Sequence, residues 1–185
     1  MYRPAVHQAP DSENTLQSLM CRFWFRDVDR GQSGKISRGQ SGKISWRSDE
    51  ARSKLIFFSA LNQGVLEMWQ EGERTTLFNL RRKTYWQGPF RTLILRMWGI
   101  DLDFADLQAI VLAGEIPQSK METAGLTVSL EKDGAGNVTQ GVIGGEGISL
   151  RVRISQRERR SGTVVFFKNM SEYSLSDLNP ILDDD

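Results

Sequence analysis

The first clear pattern along the chain is an alternation of apolar and polar side chains over residues 19–26, LMCRFWFR. Leu19, Cys21, Phe23 and Phe25 fall on one side of this alternation, as a half-buried strand requires. We therefore predict a strand here, with Cys21 on its inward side as a buried and unreactive thiol.

Further apolar segments recur at intervals typical of short strands joined by turns. Before the middle of the chain they predict strands over residues 52–60, 64–70, 73–80 and 82–87. After residue 117 the pattern returns over residues 126–131, 138–142, 148–155 and 163–168, and a short final element can follow through Leu175. The sequence therefore predicts a mainly β protein with antiparallel strands.

Between these two groups of strands lies a stretch with helical periodicity, which starts at Pro89. Apolar residues at positions i, i+3, i+4, i+7 and i+8 form one stripe on a helix. That stripe consists of Phe90, Leu93, Ile94, Met97 and Trp98. Gly99 is predicted to end this helix, Asp103 to cap a second one, and Gly114 to end the second.

The chain also carries a short tandem repeat. GQSGKISR occupies residues 31–38, and GQSGKIS follows at once over residues 39–45. Solenoid repeats are about 20 residues or longer, so this octet indicates a local duplication inside a strand or hairpin. Because eight is an even number, the duplication keeps each side chain on its own face of the sheet. We expect one copy to pair in the sheet and the other to lengthen a ribbon or loop.

Composition and charge narrow the function classes. The 185 residues include 24 Lys and Arg against 23 Asp and Glu, which gives a net charge of +1. A balance of this kind provides no overall basic surface for nucleic acid, so we expect no nucleic-acid partner. Residues 1–14 are polar and contain proline, and they are predicted to form a disordered leader without the apolar core of a secretory signal.

Enzyme chemistry has few candidates in this sequence. The only histidine is His7, in the predicted leader, so no histidine is available for catalysis or for a metal site in the core. A phosphate-binding loop needs Ser or Thr directly after its lysine, but Ile36 and Ile44 follow Lys35 and Lys43. We therefore expect no enzyme activity, no catalytic residues, no metal site and no cofactor.

A cavity is the strongest indication of function. The segments 55–58 and 164–167 are apolar on both faces, and two amphipathic helices have to bury their stripes against a concave sheet. A filled core and a ligand cavity explain this pattern equally well. An acyl chain suits such a cavity, since each buried methylene contributes about 0.8 kcal/mol. The predicted inward side chains are Phe23, Phe25, Leu55, Phe57, Leu66, Met68, Phe78, Leu93, Met97 and Trp98.

Two basic clusters, at residues 81–83 and 157–160, admit two interpretations. Most clusters of this kind are solvated turns. The alternative is contact with anionic lipid headgroups or with an acidic partner, so membrane-surface contact stays possible for this chain.

Several segments carry a family resemblance that covers about residues 19 to 170. In chain order they are GKISWRS, LNQGVLEMW, TTLFNLRRKTYWQG, the helical pair that ends in LAGEIP, and RERRSGTVVFF. Their order resembles that of the LolA/LolB family of bacterial lipoprotein carriers. The resemblance implies an incomplete antiparallel β-barrel with a helical lid, a hydrophobic cavity for lipid acyl chains, and no catalytic residues.

On this resemblance, residues 15–185 are expected to form a single half-barrel domain with a helical insertion at 89–114. The expected function is that of a transport chaperone, a non-catalytic carrier that binds acyl chains of lipids or lipoproteins. The alternative is a structural or interaction domain of an envelope complex that uses the same fold with a filled core. The expected location is the periplasm or the periplasmic face of the outer membrane, which assumes a signal peptide outside this sequence.

Overall fold

The computed structural model describes residues 15–28, 37–59, 61–166 and 168–182. Strands account for 52% of the described residues and helices for 21%, so this part of the protein is mainly β, as predicted. The predicted leader, residues 1–14, and most of the first repeat copy lie outside the described residues.

The described strands form a single ten-stranded sheet in the order β10-β6-β5-β4-β3-β2-β1-β9-β8-β7. Neighbours pair antiparallel throughout, except that β10 runs parallel to β6. The sheet is open, because its two outer strands do not pair with each other. This arrangement confirms the predicted incomplete antiparallel barrel. The strands are β1 Thr15–Val28, β2 Ser37–Ser48, β3 Arg52–Phe58, β4 Gly64–Glu71, β5 Arg74–Asn79, β6 Thr84–Pro89, β7 Thr127–Lys132, β8 Val138–Gly145, β9 Ile148–Ser161 and β10 Ser174–Leu175.

The helices lie mainly between β6 and β7. Helix α1 spans Phe90–Trp98, and α2 spans Phe104–Gln108 and continues into a π-helical turn at Ala109–Ala113. Residues 90–113 are called the lid below, because they cover the concave face of the sheet. Helix α3, Gln118–Thr123, follows the lid. Near the C-terminus a 3-10 turn, Met170–Glu172, precedes α4, Leu178–Leu182.

The ends of the lid helices follow the predicted signals. Gly99 ends α1 with a positive φ of 65°, and its N–H donates to the carbonyl of Leu95. Asp103 caps α2, and its Oδ1 accepts the backbone N–H of Asp106 at 2.9 Å. Gly114 ends the π-helical turn with a φ of 69°.

The structure differs from the prediction after residue 155. The predicted strand 163–168 is wrong, and the residues between the predicted strands 148–155 and 163–168 are mostly strand rather than connection. Residues 156–161 extend β9, whereas the residues from Thr163 to Phe166 form no strand. The reason is the length of β1, whose first residues need a partner and find it in the end of β9, with Leu16 opposite Arg160. A β-bulge lies in this ladder: Met20 pairs with Gln156 and Cys21 pairs with Ile154, so β9 has one additional residue, Ser155, at this point.

The second repeat copy lies in β2 and pairs with β1, as expected for one of the two copies. Its Gly42 lies opposite Phe23, whose ring covers this glycine. A Cβ at position 42 would lie 2.8 Å from Cε1 of Phe23, so a larger residue would displace the ring. The expected role of the first copy concerns residues 31–36, which lie outside the described residues.

The two faces of the sheet are covered by different segments. On the concave face, β1 to β5, β8 and β9 pack against the lid in one apolar core. On the convex face, residues 162–166 and 168–173, called the strap below, pack on β4 and β5. Phe166 stacks on Trp69 at 4.7 Å and Tyr173 meets the edge of Phe78 at 5.2 Å, both between ring centroids.

Candidate functional site

A narrow apolar cavity of about 40 Å³ lies between the lid and the concave face. All the side chains that line it are aliphatic, aromatic or sulfur-containing. The lid contributes the complete predicted stripe of α1 together with Leu107 and Val111. The cavity therefore has the chemistry of an acyl-chain site, although it is almost filled by its own walls.

Seven of the ten predicted cavity residues line this space. They are Phe23, Leu55, Phe57, Met68, Leu93, Met97 and Trp98. Phe25 and Leu66 belong to the same apolar core but do not line the cavity. Phe25 instead stacks on Trp98, with 6.3 Å between ring centroids.

Phe78 lies on the convex face, so its predicted inward position is wrong. In β5 it is Leu77 that faces the core, opposite Met68 of β4. Leu77 and its neighbour Phe78 are both completely buried. Leu77 is buried in the core, and Phe78 is buried because the strap covers the convex face at this position. When both faces of a strand are buried, apolar and polar residues no longer alternate along it. The sequence then does not show which side chains point toward the core.

The sequence reasoning missed wall residues on two strands. Ile44 and Trp46 of β2 and Leu150 and Val152 of β9 also line the cavity. The alternation in β9 was visible, and it places Leu150 and Val152 on one face. For β2 the duplicated octet obscured which copy belongs to the sheet.

Aromatic rings form one end of the cavity wall. The ring of Phe23 lies 5.9 Å from that of Trp98 and 6.4 Å from that of Phe57. Phe23 and Met97 are only partly buried, so the cavity approaches solvent at this end. The indole Nε1 of Trp98 is buried and has no hydrogen-bond acceptor among the described residues.

One polar contact joins the lid to strands β2 and β3. Nε2 of Gln108 donates to Oγ of Ser48 at 3.0 Å and to Oγ of Ser53 at 3.3 Å. These two hydroxyl groups are themselves 2.6 Å apart, and both serines are almost completely buried. The contact therefore fixes the position of α2 without placing charge in the core.

A second contact joins the end of the lid to β9. The guanidinium of Arg157 donates to the carbonyls of Val111 at 3.0 Å, Leu112 at 3.2 Å and Val138 at 3.3 Å. Burial, together with nearby Arg159, lowers the pKa of Arg157 from its ordinary value. A cation beside the last carbonyls of a helix is favourable, because those carbonyls carry the negative end of the helix dipole. Arg157 therefore holds the end of the lid against the sheet.

The thiol of Cys21 lines the cavity and is buried. Burial raises its pKa to about 12, despite the opposing influence of Arg157. The thiolate is the nucleophilic form of cysteine, and it is scarcely populated at such a pKa. The predicted burial of the thiol is confirmed, and the raised pKa agrees with the expectation that it is inert.

The strap is held to the convex face by charged groups. Glu67 of β4 is 5% exposed and accepts from Lys54 at 2.9 Å, from Lys168 at 2.6 Å and from the indole of Trp69 at 2.6 Å. Burial alone would raise the pKa of Glu67, but these three donors outweigh burial and lower it. The Lys168 ammonium also lies 5.0 Å from the ring centroid of Phe78.

The described residues contain no group of three or more potential metal ligands. None of the helices in this part of the chain is long and apolar enough to cross a membrane. The apolar lining of the cavity is the positive feature that points to it as the candidate site.

The chain is an open antiparallel half-barrel with an apolar cavity under a helical lid, an architecture consistent with the LolB fold. The family model described as "Outer membrane lipoprotein LolB" matches residues 32–140, and the chain belongs to this family. The matched segment includes the strands β2 to β7, the complete lid and the first residues of β8. No curated protein sequence matches the chain.

Family membership establishes the coarse function. LolB proteins are non-catalytic carriers or receptors that bind lipoproteins in the cell envelope, and they are associated with the outer membrane. The predicted resemblance and the half-barrel fold with its transport role are thereby confirmed.

Proposed function

We propose that this protein carries lipoproteins by holding their acyl chains in the apolar cavity between the lid and the concave face. The observation that supports this proposal most directly is the uniform chemistry of the cavity wall. A wall without charged groups excludes water and favours hydrocarbon in proportion to the apolar area buried. The seven predicted residues on this wall would contact the acyl chain directly.

The size of the cavity requires that the lid move before an acyl chain can enter. A volume of about 40 Å³ is far below the ~150 Å³ of a protein cavity that binds benzene. The lid faces the sheet mainly through apolar side chains, and the polar contacts of Gln108 and Arg157 both lie in its C-terminal part. Apolar contacts are not directional, so a hydrocarbon chain can take the place of the lid residues in contact with the apolar side chains of the sheet.

The unpaired indole of Trp98 would supply a polar contact to the ligand. A buried donor without an acceptor costs about 1–3 kcal/mol, and the folded protein carries this cost at Trp98. The carbonyl of an acyl ester or amide is an acceptor that an acyl chain brings with it. In this proposal the Trp98 N–H donates a hydrogen bond to that carbonyl oxygen and so selects acylated ligands over plain hydrocarbon.

The filled core supports the alternative function. A domain whose interior is already packed can serve as a docking element of an envelope complex without binding any acyl chain. The small cavity volume is the observation that favours this alternative. The two functions differ in one measurable property, which is whether the purified protein takes up an acyl ligand.

A fluorescent fatty acid provides the test. Titration with a dansyl-labelled fatty acid should give saturable binding that a diacylated lipopeptide displaces. Met97→Lys should weaken binding at least about tenfold, because it places an ammonium on the cavity wall that a bound acyl chain would desolvate without a partner. The matched control is Leu95→Lys, on the same helix at a side chain that is 51% exposed, and it should bind like the parent.

Circular dichroism must show that both variants remain folded. Mass spectrometry of lipids that copurify with the parent provides an independent measurement. A folded parent that neither binds the probe nor carries lipid would reject the carrier proposal in favour of the docking domain.

A further inference from the structure

A second concave region of the molecule lies on the convex face of the sheet, beyond the area covered by the strap. It is a groove of about 720 Å³ across β3, β2, β1 and β9. Its wall includes the side chains of Arg22, Lys43, Arg153, Trp24 and Phe58. This convex groove and the acyl cavity lie on opposite faces of the same strands.

Three cations lie side by side in the convex groove. The strand register places Lys43 opposite Arg22 and places Arg22 opposite Arg153. Directly opposed side chains on neighbouring strands are about 4.5–5.5 Å apart at Cβ, and like charges in this relation are destabilising. The fold thus brings together three positive charges that repel one another.

Carboxylates that could relieve this repulsion are missing from the described part of the groove. The ion pairs among the described residues involve other cations, and Lys43 instead donates to Oδ1 of Asn62 at 2.9 Å. The strap half of the same face is different, because there the carboxylate of Glu67 forms ion pairs with both Lys54 and Lys168. Chemical complementarity therefore requires an anion from outside the groove.

Apolar side chains border these cations. Trp24 is 40% exposed, although it is a large hydrophobic residue, and Phe58 lines the same groove. Tryptophan beside arginine and lysine is the composition that suits the headgroup region of a bilayer, where phosphates lie next to hydrocarbon. A soluble acidic partner would satisfy the charges but would leave less reason for the exposed indole.

We propose that the convex groove is a membrane-docking surface that binds the phosphates of an anionic phospholipid bilayer through Arg22, Lys43 and Arg153. A juxtamembrane cation contributes roughly a fivefold increase in affinity for an anionic surface. The association of the family with the outer membrane places such a surface within reach of this chain. Docking through the convex face leaves the lid on the opposite face free to move.

Vesicle sedimentation tests this inference directly. The parent should bind vesicles made of equal parts phosphatidylglycerol and phosphatidylethanolamine, and it should bind phosphatidylcholine vesicles much more weakly. The double variant Arg22→Gln with Arg153→Gln should lose about 25-fold in affinity for the anionic vesicles. Arg74→Gln with Arg81→Gln is the matched control, because it removes the same charge from exposed positions in β5 and the turn after it. This control should retain most of the parent's binding.

Further measurements keep the result interpretable. The double variant should melt at the same temperature as the parent or higher, because it removes a repulsion. Trp24→Ser should weaken binding to anionic vesicles but should leave binding to polyglutamate unchanged. Fatty-acid uptake by the double variant should match the parent, so a failure of membrane docking and a failure of acyl binding can be told apart.

Three outcomes would overturn the membrane-docking surface. The first is equal binding of the parent to anionic and zwitterionic vesicles. The second is equal loss of binding in the groove variant and in its charge-matched control. The third is absence of vesicle binding together with groove-dependent binding of polyglutamate, which would assign the convex groove to an acidic protein.

Discussion

The lid and the strap cover opposite faces of one sheet and are held by different kinds of interaction. The lid meets the concave face through apolar side chains around a cavity, with hydrogen bonds at Gln108 and Arg157. The strap meets the convex face through stacked rings and through a buried carboxylate that binds two lysines.

This difference indicates which cover moves. Ion pairs and charge-assisted hydrogen bonds are directional, and breaking a buried one leaves an uncompensated charge. Apolar contacts are not directional, so their loss at the lid is offset as soon as an acyl chain provides equivalent surface. We therefore interpret the strap as a fixed part of the domain and the lid as its mobile part.

The largest effect should follow from a charge placed under the lid. Leu93 is 1% exposed and lines the cavity, so Leu93→Glu would bury a carboxylate without a partner. We expect the free energy of unfolding to fall by about 3 kcal/mol or more. Urea denaturation measures this change.

Leu95 is the matched position on the same helix. It is 51% exposed, and Leu95→Glu should change the free energy of unfolding by less than about 0.5 kcal/mol. Similar losses in the two variants would contradict the assignment of Leu93 to the concave side of α1.

The next effect concerns the strap. Glu67→Gln would leave Lys54 and Lys168 near a neutral amide that cannot balance their charge. Because both lysines keep some exposure, we expect a loss of about 2 kcal/mol, below the range for fully buried pairs. Limited proteolysis should then cut the strap before the rest of the domain.

The pH dependence of this variant provides its control. The pKa of Glu67 is lowered in the folded state from a reference value of 4.5. Its stabilising contribution is therefore complete above pH 4.5 and is lost as the pH falls below 4.5 through the lower folded pKa. The stability of Glu67→Gln should lack this acid-dependent component, and an identical acid profile in parent and variant would contradict the prediction.

A smaller effect is expected at the end of the lid. Arg157→Met retains most of the side-chain volume but removes the donors to three carbonyls. The lost hydrogen bonds are partly offset by removal of a buried charge, so stability should fall by about 1 kcal/mol. Amide hydrogen exchange over residues 109–115 should become faster, and the fatty-acid probe should bind more tightly because opening the lid is easier.

Arg159→Met is the control for Arg157. Arg159 lies two residues further along β9 and is exposed, so its replacement should change neither exchange nor probe binding. A change in both variants would indicate a general effect of charge rather than the contacts of Arg157 with the lid.

The sequence predicted the lid side of the molecule better than the strap side. The α1 stripe, the cap at Asp103 and the stops at Gly99 and Gly114 all lie where local rules place them. These features depend on neighbouring residues, so a pattern reveals them. The facing of Phe78 was predicted wrongly because the strap, which is distant in sequence, covers the convex face there. Residues 163–166 belong to the strap itself, where the N–H of Val164 donates to Oδ2 of the distant residue Asp49, and no local pattern reveals that contact.

The cavity itself was only partly predictable for a similar reason. Period-two alternation identified Leu55, Phe57 and Met68, but it cannot give the volume that remains when the lid packs on them. That volume depends on how side chains from distant elements interlock. The sequence therefore left cavity and filled core equally supported.

The smallest effect should come from deletion of residues 31–38. The second octet supplies Gly42 opposite Phe23 and places Ile44 on the cavity wall, and the deletion leaves that octet intact. The shift of eight residues keeps every side chain of β2 on its own face.

The deletion would remove the last two pairs of the β1–β2 ladder, in which Asp27 meets Arg38 and Val28 meets Ser37. The four residues 27–30 would then connect Arg26 to Gly39, and four-residue connections are common in hairpins. We expect a stability change of about 1 kcal/mol or less and unchanged probe binding, measured by urea denaturation and fatty-acid titration. A shortened protein that fails to fold where the parent folds would show that the first octet is a structural part of the sheet rather than a tolerated duplication.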